Sequence, residues 1–439
     1  MLTLGLDIGT TTISIVVMDK EKQKVVEAGN VFNDSFIPTE HEWEKMQDPD
    51  RILKNAKTLL DDCLMRYPQI SSIGLTGQMH GIVYLDENGK AVSPLYTWQY
   101  GGGRELLAEM GDDHVHVGYG MVTYYYHHRQ GMVPKNAVTF CTIMDYLGMY
   151  LTERKRPLMH ISNAASLGMF DCETHRFREE RIRGLGLDLS MIPEVSTKFE
   201  QIGVYHKVPV KIAIGDNQAS FLGTVGMKNG AVLVNMGTGG QISMLIDQFL
   251  EISGIETRPL SEKQYLLIGA SLCGGRAYAV LEHFFRAYAE MIGAESKPQY
   301  EVMEQLAQMG RERERKARRT EIQGNVMCEH PAEGGMHVVT TFSGTRQEPS
   351  RRGSITGISE SNFTPELLTY GVLKGMAEEL YAMYERMLEA GCQRAVSFTA
   401  SGNGLRKNPI LREIFREMFG AELIMAKFEE EAACGAALI

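Results

Sequence analysis

Residues 2–19, with the sequence L-T-L-G-L-D-I-G-T-T-T-I-S-I-V-V-M-D, indicate the architecture most directly. Strand-forming residues stand on both sides of Gly9-Thr10-Thr11, which predicts a β-hairpin with a small polar tip. A second stretch, A-V-L-V-N-M-G-T-G-G-Q-I-S-M-L-I at residues 231–246, predicts another strand-turn-strand unit with the tip Gly237-Thr238-Gly239. The repeated Gly-Thr tip indicates an internal duplication of the chain.

Strands and helices alternate outward from both hairpins. Helices are predicted over residues 48–67, 366–390, 409–419 and 430–438, and strands over residues 70–75, 210–214, 395–399 and 423–426. Residues 178–191 are interpreted as a polar connection. This alternation predicts an α/β protein with two related domains, which we divide at 1–221 and 222–439.

Composition excludes several classes of protein. The chain has 45 Lys and Arg against 55 Asp and Glu, a net charge of −10, which argues against a general nucleic-acid binder. The charged run at 311–319 is therefore expected to be a solvated helix end or loop. No apolar run is long enough to predict a membrane span. Scattered cysteines and a start unlike a signal peptide predict a reduced, cytoplasmic protein.

The two hairpin tips are candidate phosphate-binding sites. Glycine and hydroxyl residues offer N–H and O–H donors without steric obstruction. Asp7 beside the first tip could orient Mg²⁺ through water, although an ordinary hairpin would contain the same residues. The Walker and G-x-G-x-x-G patterns are absent. For Gly402-Asn403-Gly404, a plain turn and a turn that lies against a purine both remain open. The residues predicted to contact the nucleotide are Thr10, Thr11, Thr12, Gly237, Thr238, Gly239, Gly402, Asn403 and Asn408.

Asp216 is the candidate catalytic base. It follows a predicted strand in G-D-N-Q-A-S at residues 215–220, where a carboxylate points into a cleft and can accept a hydroxyl proton during phosphoryl transfer. An Asp that caps the following helix would give the same local sequence. Both interpretations stay open on these residues alone.

A group of mixed polar and aromatic residues suits a polyhydroxylated ligand. Amide, imidazole and guanidinium groups bind hydroxyls, and an indole face packs against sugar C–H groups. A core histidine is the alternative for His80. The histidines at 114, 116, 127 and 128 lack neighbouring ligands, which favours loops over a zinc site. The predicted substrate-binding residues are Gln78, Met79, His80, Trp98, Arg104, Asp216 and Asn217.

The ordered set of motifs resembles the FGGY carbohydrate kinases. The motifs are D-I-G-T-T at the N-terminus, G-Q-M-H-G at 77–81, G-D-N-Q-A-S at 215–220, N-M-G-T-G-G at 235–240, S-G-N-G at 401–404 and E-E-A-A-C-G-A-A-L at 430–438. Within the family, the strings at 97–99, 142–146, 156–171 and 271–275 most resemble the sedoheptulokinase branch.

The resemblance implies two duplicated actin/hexokinase-like (ribonuclease H-like) domains with ATP in the cleft between them. It implies that Asp216 is the base, that the tips hold phosphates, that the segment at Gly402 lies near adenosine, and that Gln78, Met79, His80 and Trp98 line the sugar pocket. The expected reaction is ATP- and Mg²⁺-dependent phosphorylation of a primary hydroxyl of a ketose, and sedoheptulose is the expected ketose. Expected partners are the sugar, ATP and a second copy in a homodimer, without nucleic acid or membrane.

One departure concerns the sugar. After Trp-Gln, kinases of this type usually carry Asp, whereas this chain has Tyr100 followed by three glycines. The alternatives are a xylulokinase-like kinase of another ketose or polyol, and a non-catalytic sugar- or nucleotide-sensing protein on the same fold. The expected mark of such a sensor is loss of Asp7 or Asp216, and both residues are present.

Overall fold

The computed structural model describes residues 1–112, 115–322, 335–345 and 348–439, with the side chains of 318–322 excepted. His114 of the predicted histidine group lies outside these residues. Two mixed sheets dominate the structure. Each has helices on its faces and its own apolar core, the first formed by residues 4–213 and the second by residues 232–419.

The first sheet is built around the N-terminal hairpin. Leu2–Ile8 pairs antiparallel with Thr12–Asp19 and parallel with Ile70–Gly77. The order across the sheet is Gln201–Tyr205, Val208–Lys211, Ile70–Gly77, Leu2–Ile8, Thr12–Asp19 and Lys24–Phe32, and Ile214–Gly215 also pairs with Ile70–Gly77.

The second sheet repeats this plan. Val232–Met236 pairs antiparallel with its hairpin partner Gly240–Ile246 and parallel with the distant strand Ser397–Ser401. The order is Glu256–Ser261, Gln264–Ser271, Gly240–Ile246, Val232–Met236, Ser397–Ser401 and Glu422–Met425. In both sheets the first hairpin strand pairs antiparallel with the second and parallel with a later strand, and the second hairpin strand pairs antiparallel with a strand that comes after it in the chain. This shared plan confirms the predicted duplication of an α/β unit.

Short two-stranded sheets lie outside the two large sheets. They are Met46–Gln47 with Leu95–Tyr96, Val83–Leu85 with Thr139–Cys141, Leu158–His160 with Glu194–Ser196, Phe170–Asp171 with Arg176–Phe177, and His337–Val339 with Ser354–Thr356.

The helices match most of the predicted segments. They are Pro49–Arg66, Leu107–Met110, Gly120–Gln130, Ile143–Thr152, Ile161–Ser166, Glu179–Gly184, Asp216–Thr224, Gly274–Met291, Tyr300–Ile322, Pro365–Glu389, Asn403–Lys407, Pro409–Phe419 and Glu431–Leu438, with 3₁₀ turns at Arg104–Leu106 and Leu189–Met191. Among the described residues, none of these helices has both the length and the apolar character that crossing a bilayer requires.

Three sequence interpretations are wrong in detail. The connection at 178–191 contains the helix Glu179–Gly184. His127 and His128 lie in a helix rather than a loop. The run at 311–319 lies in the C-terminal part of the helix Tyr300–Ile322 and is mostly exposed over 312–317, as predicted for a solvated helix end, but Arg311 is buried and pairs with Glu417 at 2.6 Å and with Glu413. Arg311 is not solvated because two carboxylates of a neighbouring helix replace its water.

Two helices connect the sheets. The helix Asp216–Thr224 leads from the first sheet toward the second, and the predicted division at 221/222 falls inside it. Glu431–Leu438 packs on that helix and back onto the first sheet. A Cβ added at Gly5 would lie 1.8 Å from the carbonyl oxygen of Ala433, and one at Gly74 would lie 1.7 Å from that of Ala436. Only glycine permits so close an approach. The domain division itself remains a prediction.

Candidate active site

Two buried amides hold the first Gly-Thr tip. The side-chain nitrogen of Asn33 donates to the carbonyl of Gly9 at 2.8 Å, and that of Gln47 donates to the carbonyl of Thr10 at 2.9 Å. Neither residue was predicted from the sequence, because their contacts span more than twenty residues. With its carbonyls satisfied inside, the tip turns its hydroxyl residues outward.

The first tip also contacts the predicted sugar-binding residues. The indole nitrogen of Trp98 donates to the hydroxyl of Thr10 at 2.9 Å, and that hydroxyl lies 3.4 Å from the side-chain oxygen of Gln78. Gln78 in turn donates to the side-chain oxygen of Gln47 at 2.8 Å. The structure therefore brings two separately predicted groups, the tip and Gln78 with Trp98, into one hydrogen-bonded network.

Asp7 ends the central strand of the first sheet beside this tip. Its Oδ1 is buried and finds no hydrogen-bond partner among the described residues. Burial, together with the nearby negative charges of Asp216 and Glu430, raises the pKa of Asp7 to about 7. An unsatisfied carboxylate among other carboxylates fits Mg²⁺, which binds one or two carboxylates and keeps several waters. In the part of the chain that the structure describes, no three ligands could hold a metal alone.

Asp216 begins the helix Asp216–Thr224, but it is not the helix cap, because Gly215 occupies that position. Its carboxylate accepts a hydrogen bond from the side chain of Asn217 at 2.9 Å. Burial raises the pKa of Asp216, while that hydrogen bond and the positive charge of Arg258 act in the opposite direction. The Asp216 carboxylate is therefore held at the start of the helix by the side chain and the backbone N–H of Asn217.

Met79 and His80 approach Asp216 from the first sheet. The Met79 sulfur lies 3.9 Å from the side-chain nitrogen of Asn217. His80 adopts φ = 73°, which is unusual for a non-glycine residue. Its Nδ1 lies 2.7 Å from the carbonyl of Ser166, so this nitrogen carries the proton, and its ring stacks on Tyr119 at 4.2 Å between centroids. A strained backbone held by tertiary contacts is typical of a functional site.

A cavity of about 260 Å³ opens next to these residues. Its lining is aromatic and cationic and consists of His80, Trp98, His116, Val117, Tyr119 and Arg258. Arg258 belongs to the second sheet and pairs with Glu256 at 2.6 Å. Sequence reasoning missed Arg258, because nothing in its local sequence indicates that it reaches the first sheet's pocket.

Two predicted residues have other positions. Arg104 lies on an exposed 3₁₀ turn outside the cavity lining, so Arg258 supplies the guanidinium there instead. The side-chain oxygen of Asn408 accepts from the backbone of Leu411 at 2.9 Å and caps the helix Pro409–Phe419. This cap uses the side-chain oxygen of Asn408, and the predicted nucleotide contact of Asn408 stays a prediction.

Tyr100, the residue that departs from the expected family pattern, turns into the core. It is 1% exposed, and its hydroxyl lies 3.2 Å from Nε2 of His127. The hydroxyl of Tyr84 lies 3.1 Å from the other ring nitrogen. Burial lowers the pKa of His127 to about 4, so this histidine is neutral. Position 100 therefore contributes to a buried aromatic cluster and offers nothing to a sugar.

The second tip rests on the start of the helix Gly274–Met291. The backbone N–H of Gly275 donates to the carbonyl of Gly237 at 2.9 Å, and that of Arg276 donates to the carbonyl of Thr238 at 3.0 Å. Gly402, with φ = 84°, packs so closely that an added Cβ would lie 2.5 Å from the carbonyl of Met236. The predicted nucleotide segments at Gly402 and at the tip are therefore neighbours.

One short helix, Ile161–Ser166, supports both the segment before Asp216 and the backbone of His80. The hydroxyl of Ser162 accepts from the backbone N–H of Gly215 at 3.0 Å, directly before Asp216. The hydroxyl of Ser166 accepts from the backbone N–H of His80 at 3.2 Å. Because Ser162 and Ser166 belong to the same helix, that helix fixes the distance between Gly215 and His80.

Comparison with known proteins matches both halves of the chain. The N-terminal domain of the FGGY family of carbohydrate kinases matches residues 2–117, and its C-terminal domain matches residues 232–439. Sedoheptulokinase of Mus musculus is 25% identical over all of this chain and 96% of its own length, and that of Homo sapiens is 26% identical over all of this chain and 97% of its own. Gluconokinase of Bacillus subtilis (strain 168) is 23% identical over 99% of this chain and 86% of its own length.

Solved structures agree on the fold. A ligand-bound xylulose kinase from Lactobacillus acidophilus superposes with a TM-score of 0.80 at 17% identity, covering 100% of this chain and 88% of that one. Plasmodium falciparum glycerol kinase with ADP gives 0.79 at 17% identity, covering 99% and 88%.

Two duplicated α/β domains of the actin/hexokinase type, with a Gly-Thr tip in each, define a two-domain phosphotransferase class. The chain belongs to the FGGY family of carbohydrate kinases. It is a sugar kinase with ATP as co-substrate.

Proposed function

We propose that this sugar kinase transfers the γ-phosphoryl group of ATP to a primary hydroxyl of a ketose, and that sedoheptulose is the substrate, giving sedoheptulose 7-phosphate. The similarity to the two sedoheptulokinases over the whole chain supports the choice of sugar. The observation that carries the reaction is the location of Asp216. It lies near Asp7 on the side of the first tip and near Arg258 on the side of the cavity.

Asp216 is proposed as the general base. Its carboxylate would accept the proton of the sugar hydroxyl as that oxygen bonds to the γ-phosphorus and the bond to the β-phosphate oxygen breaks. The side chain of Asn217, 2.9 Å away, holds the carboxylate in place. A raised pKa makes the Asp216 carboxylate a stronger base.

The phosphates are proposed to lie between the two tips. Backbone N–H groups and the hydroxyls of Thr10, Thr11, Thr12 and Thr238 supply donors that do not need to reorganise. Mg²⁺ bound through water near Asp7 would neutralise charge on the phosphate oxygens. Gly402 and Asn403, next to the second tip, are proposed to lie under the adenosine. Asn408 is proposed to contact the nucleotide through its side-chain nitrogen, because its oxygen caps a helix.

The sugar is proposed to occupy the cavity beside Asp216. Trp98 offers an exposed indole face to the C–H side of the ligand, and His80 and Arg258 add polar groups to the lining. Gln78 lies behind this lining and is linked to Trp98 through the hydroxyl of Thr10. A buried site that binds hydroxyls rejects analogues that leave those groups unpaired. The extra carbons of sedoheptulose would use the length of this lining.

A coupled ADP-release assay tests the substrate. The panel is sedoheptulose, xylulose, ribulose, gluconate and glycerol, with the Asp216→Asn variant as the background for ATP hydrolysis. We expect the highest kcat/KM for sedoheptulose. A clearly higher value for gluconate, xylulose or glycerol would refute the sugar assignment and leave the kinase class intact.

A further inference from the structure

The strand that leads into Asp216 is only two residues long, Ile214–Gly215, and it is buried. It pairs in parallel with the end of the strand Ile70–Gly77. So short a strand forms few ladder hydrogen bonds, whereas buried backbone groups need partners. The backbone directly before the proposed base therefore depends on side chains for its position.

Two hydroxyls supply partners for this strand. The hydroxyl of Thr76 donates to the carbonyl of Ile214 at 2.8 Å. The hydroxyl of Ser162 accepts from the backbone N–H of Gly215 at 3.0 Å. Both side chains are buried, and they belong to different elements, a strand and a helix. The strand is therefore held by two separate parts of the first domain.

A third hydrogen bond comes from Asn163, the next residue of the helix Ile161–Ser166. Its side-chain nitrogen donates to the carbonyl of Ala213 at 3.1 Å. The same nitrogen lies 3.3 Å and 3.4 Å from the two carboxylate oxygens of Asp145. The side-chain oxygen of Asn163 is buried and finds no partner among the described residues. The two contacts of this amide are therefore both made by its nitrogen.

The buried carboxylate of Asp145 sets the direction of the Asn163 amide. Asp145 also accepts a hydrogen bond from the hydroxyl of Thr142 at 2.7 Å, which fixes the carboxylate. If the amide turned over, its oxygen would face the carboxylate of Asp145 and the carbonyl of Ala213. Neither of these groups has a proton to donate when the carboxylate is ionised. Asp145 therefore keeps the donor of Asn163 directed at Ala213.

We propose that Thr76 and Asn163 are positioning residues for Asp216, and that Asp145 acts through Asn163. The proposal rests on the proposed role of Asp216 as the base. The carboxylate of a base must lie within hydrogen-bond reach of the hydroxyl that it deprotonates. A displacement of about 1 Å can lower the rate by about a hundredfold. A purely structural role of these side chains would stabilise the fold and leave turnover of the folded enzyme unchanged.

Thr76→Val tests the first contact, because valine removes the hydroxyl and keeps the shape. Thr139→Val is the matched control, since the hydroxyl of Thr139 is also buried in a strand and donates to the carbonyl of Met191 at 3.0 Å. Both variants should lower the thermal midpoint. In the ADP-release assay with the best sugar of the panel, kcat should fall by about tenfold in Thr76→Val only. Its calorimetric affinities for ATP and sugar should stay near those of the parent.

Double variants separate this proposal from the proposed function. In the Asp216→Asn background, Thr76→Val should cause no further loss of kcat, because the group that it positions is already absent. Parent kcat in folded Thr76→Val, or the same fold loss in both backgrounds, overturns the positioning role and leaves Asp216 as the base. Near-parent turnover of Asp216→Asn alone overturns the base, and the positioning role falls with it.

Asn163→Leu and Asp145→Asn test the second contact. Leucine keeps the volume and removes the donor, so kcat should fall as in Thr76→Val with binding preserved. An amide at position 145 can donate as well as accept, which allows the Asn163 amide to turn. Asp145→Asn should therefore lower kcat in the parent but not further in Asn163→Leu, and an equal loss in both overturns its action through Asn163. Parent kcat in folded Asn163→Leu overturns the role of Asn163, and Asn163→Ala replaces that variant if thermal unfolding shows that it is not folded.

Discussion

The indole nitrogen of Trp98 lies 2.9 Å from the hydroxyl of Thr10 and donates a hydrogen bond to it. Trp98 lines the cavity proposed for the sugar, and Thr10 lies in the tip proposed for phosphate. A ligand that packs on the indole therefore contacts the same side chain that hydrogen-bonds to Thr10 in the tip proposed for phosphate. Binding of one substrate is expected to affect binding of the other through this contact.

Trp98→Phe should weaken that link. Phenylalanine keeps an aromatic face for the sugar but has no donor for Thr10. Because one neutral hydrogen bond contributes about 0.5–1.5 kcal/mol, ATP affinity measured with saturating sugar should fall by about 2- to 10-fold. Calorimetric titration of ATP with and without sugar measures the effect. Trp43→Phe, at the other tryptophan of the chain, is the control, and an unchanged ATP affinity in Trp98→Phe would show that the contact carries no coupling.

Asp216→Asn should remove turnover and preserve binding. The amide keeps the shape and can still hydrogen-bond a hydroxyl, but it cannot accept the proton. A general base contributes about 10²–10⁴-fold, which corresponds to roughly 3–5.5 kcal/mol of barrier. We expect kcat to fall at least about a hundredfold, with ATP and sugar affinities near those of the parent. Asp62→Asn, on an exposed helix face, is the control, and near-normal turnover of Asp216→Asn would falsify its role as the base.

The second tip is best probed at Gly237. A Cβ there would lie 3.8 Å from its nearest neighbour, the side-chain oxygen of Asn235, whereas one at Gly239 would lie 2.7 Å from the carbonyl of Ser271. Valine at 239 would therefore distort the protein itself. Gly237→Val should leave folding intact and lower ATP affinity by about tenfold or more, because its side chain obstructs a phosphate oxygen. Gly184→Ala is the control, and calorimetry showing parent-like ATP binding in Gly237→Val would contradict the tip assignment.

The buried histidine predicts how stability depends on pH. The pKa of His127 is about 4 in the folded protein and about 6.5 when unfolded. The unfolded chain therefore binds the extra proton first, so stability is full above pH 6.5 and is lost as the pH falls toward 4. When the pH falls from 7.5 to 5, the titration of His127 should lower the free energy of unfolding by about 2 kcal/mol. His127→Gln, which can still donate to one tyrosine and accept from the other, should flatten that slope.

Urea unfolding followed by tryptophan fluorescence measures this effect, because Trp43 lies 5.5 Å from the Tyr100 ring that contacts His127. His128→Gln on the same helix is the control. The same slope in parent and His127→Gln would show that His127 is not the group that titrates.

The sequence predicted the elements that depend on local patterns. Both hairpin tips, the duplicated plan and the helix Pro409–Phe419 follow from glycine placement and hydrophobic spacing, which are visible within about twenty residues. Asn33 and Gln47 were missed because their partners in the tip lie 24 and 37 residues away. Arg258 was missed because the other residues of the cavity that it lines lie far away in the sequence, in the first part of the chain.

Two residues show why motif matching alone does not settle a site. The departure at Tyr100 was visible in the sequence, but its burial against His127 depends on tertiary packing. Asn408 follows a glycine-rich turn as a nucleotide contact might, yet its side chain caps a helix. In both cases a local signal has a structural use that only the partner residue reveals.

The return of the helix Glu431–Leu438 to the first sheet has a consequence for synthesis on the ribosome. Gly5 and Gly74 are made early, whereas Ala433 and Ala436, which cover them, come more than 350 residues later. Throughout translation, this face of the nascent N-terminal sheet lacks its native cover. We expect it to depend on chaperones or on transient contacts until the covering helix leaves the exit tunnel.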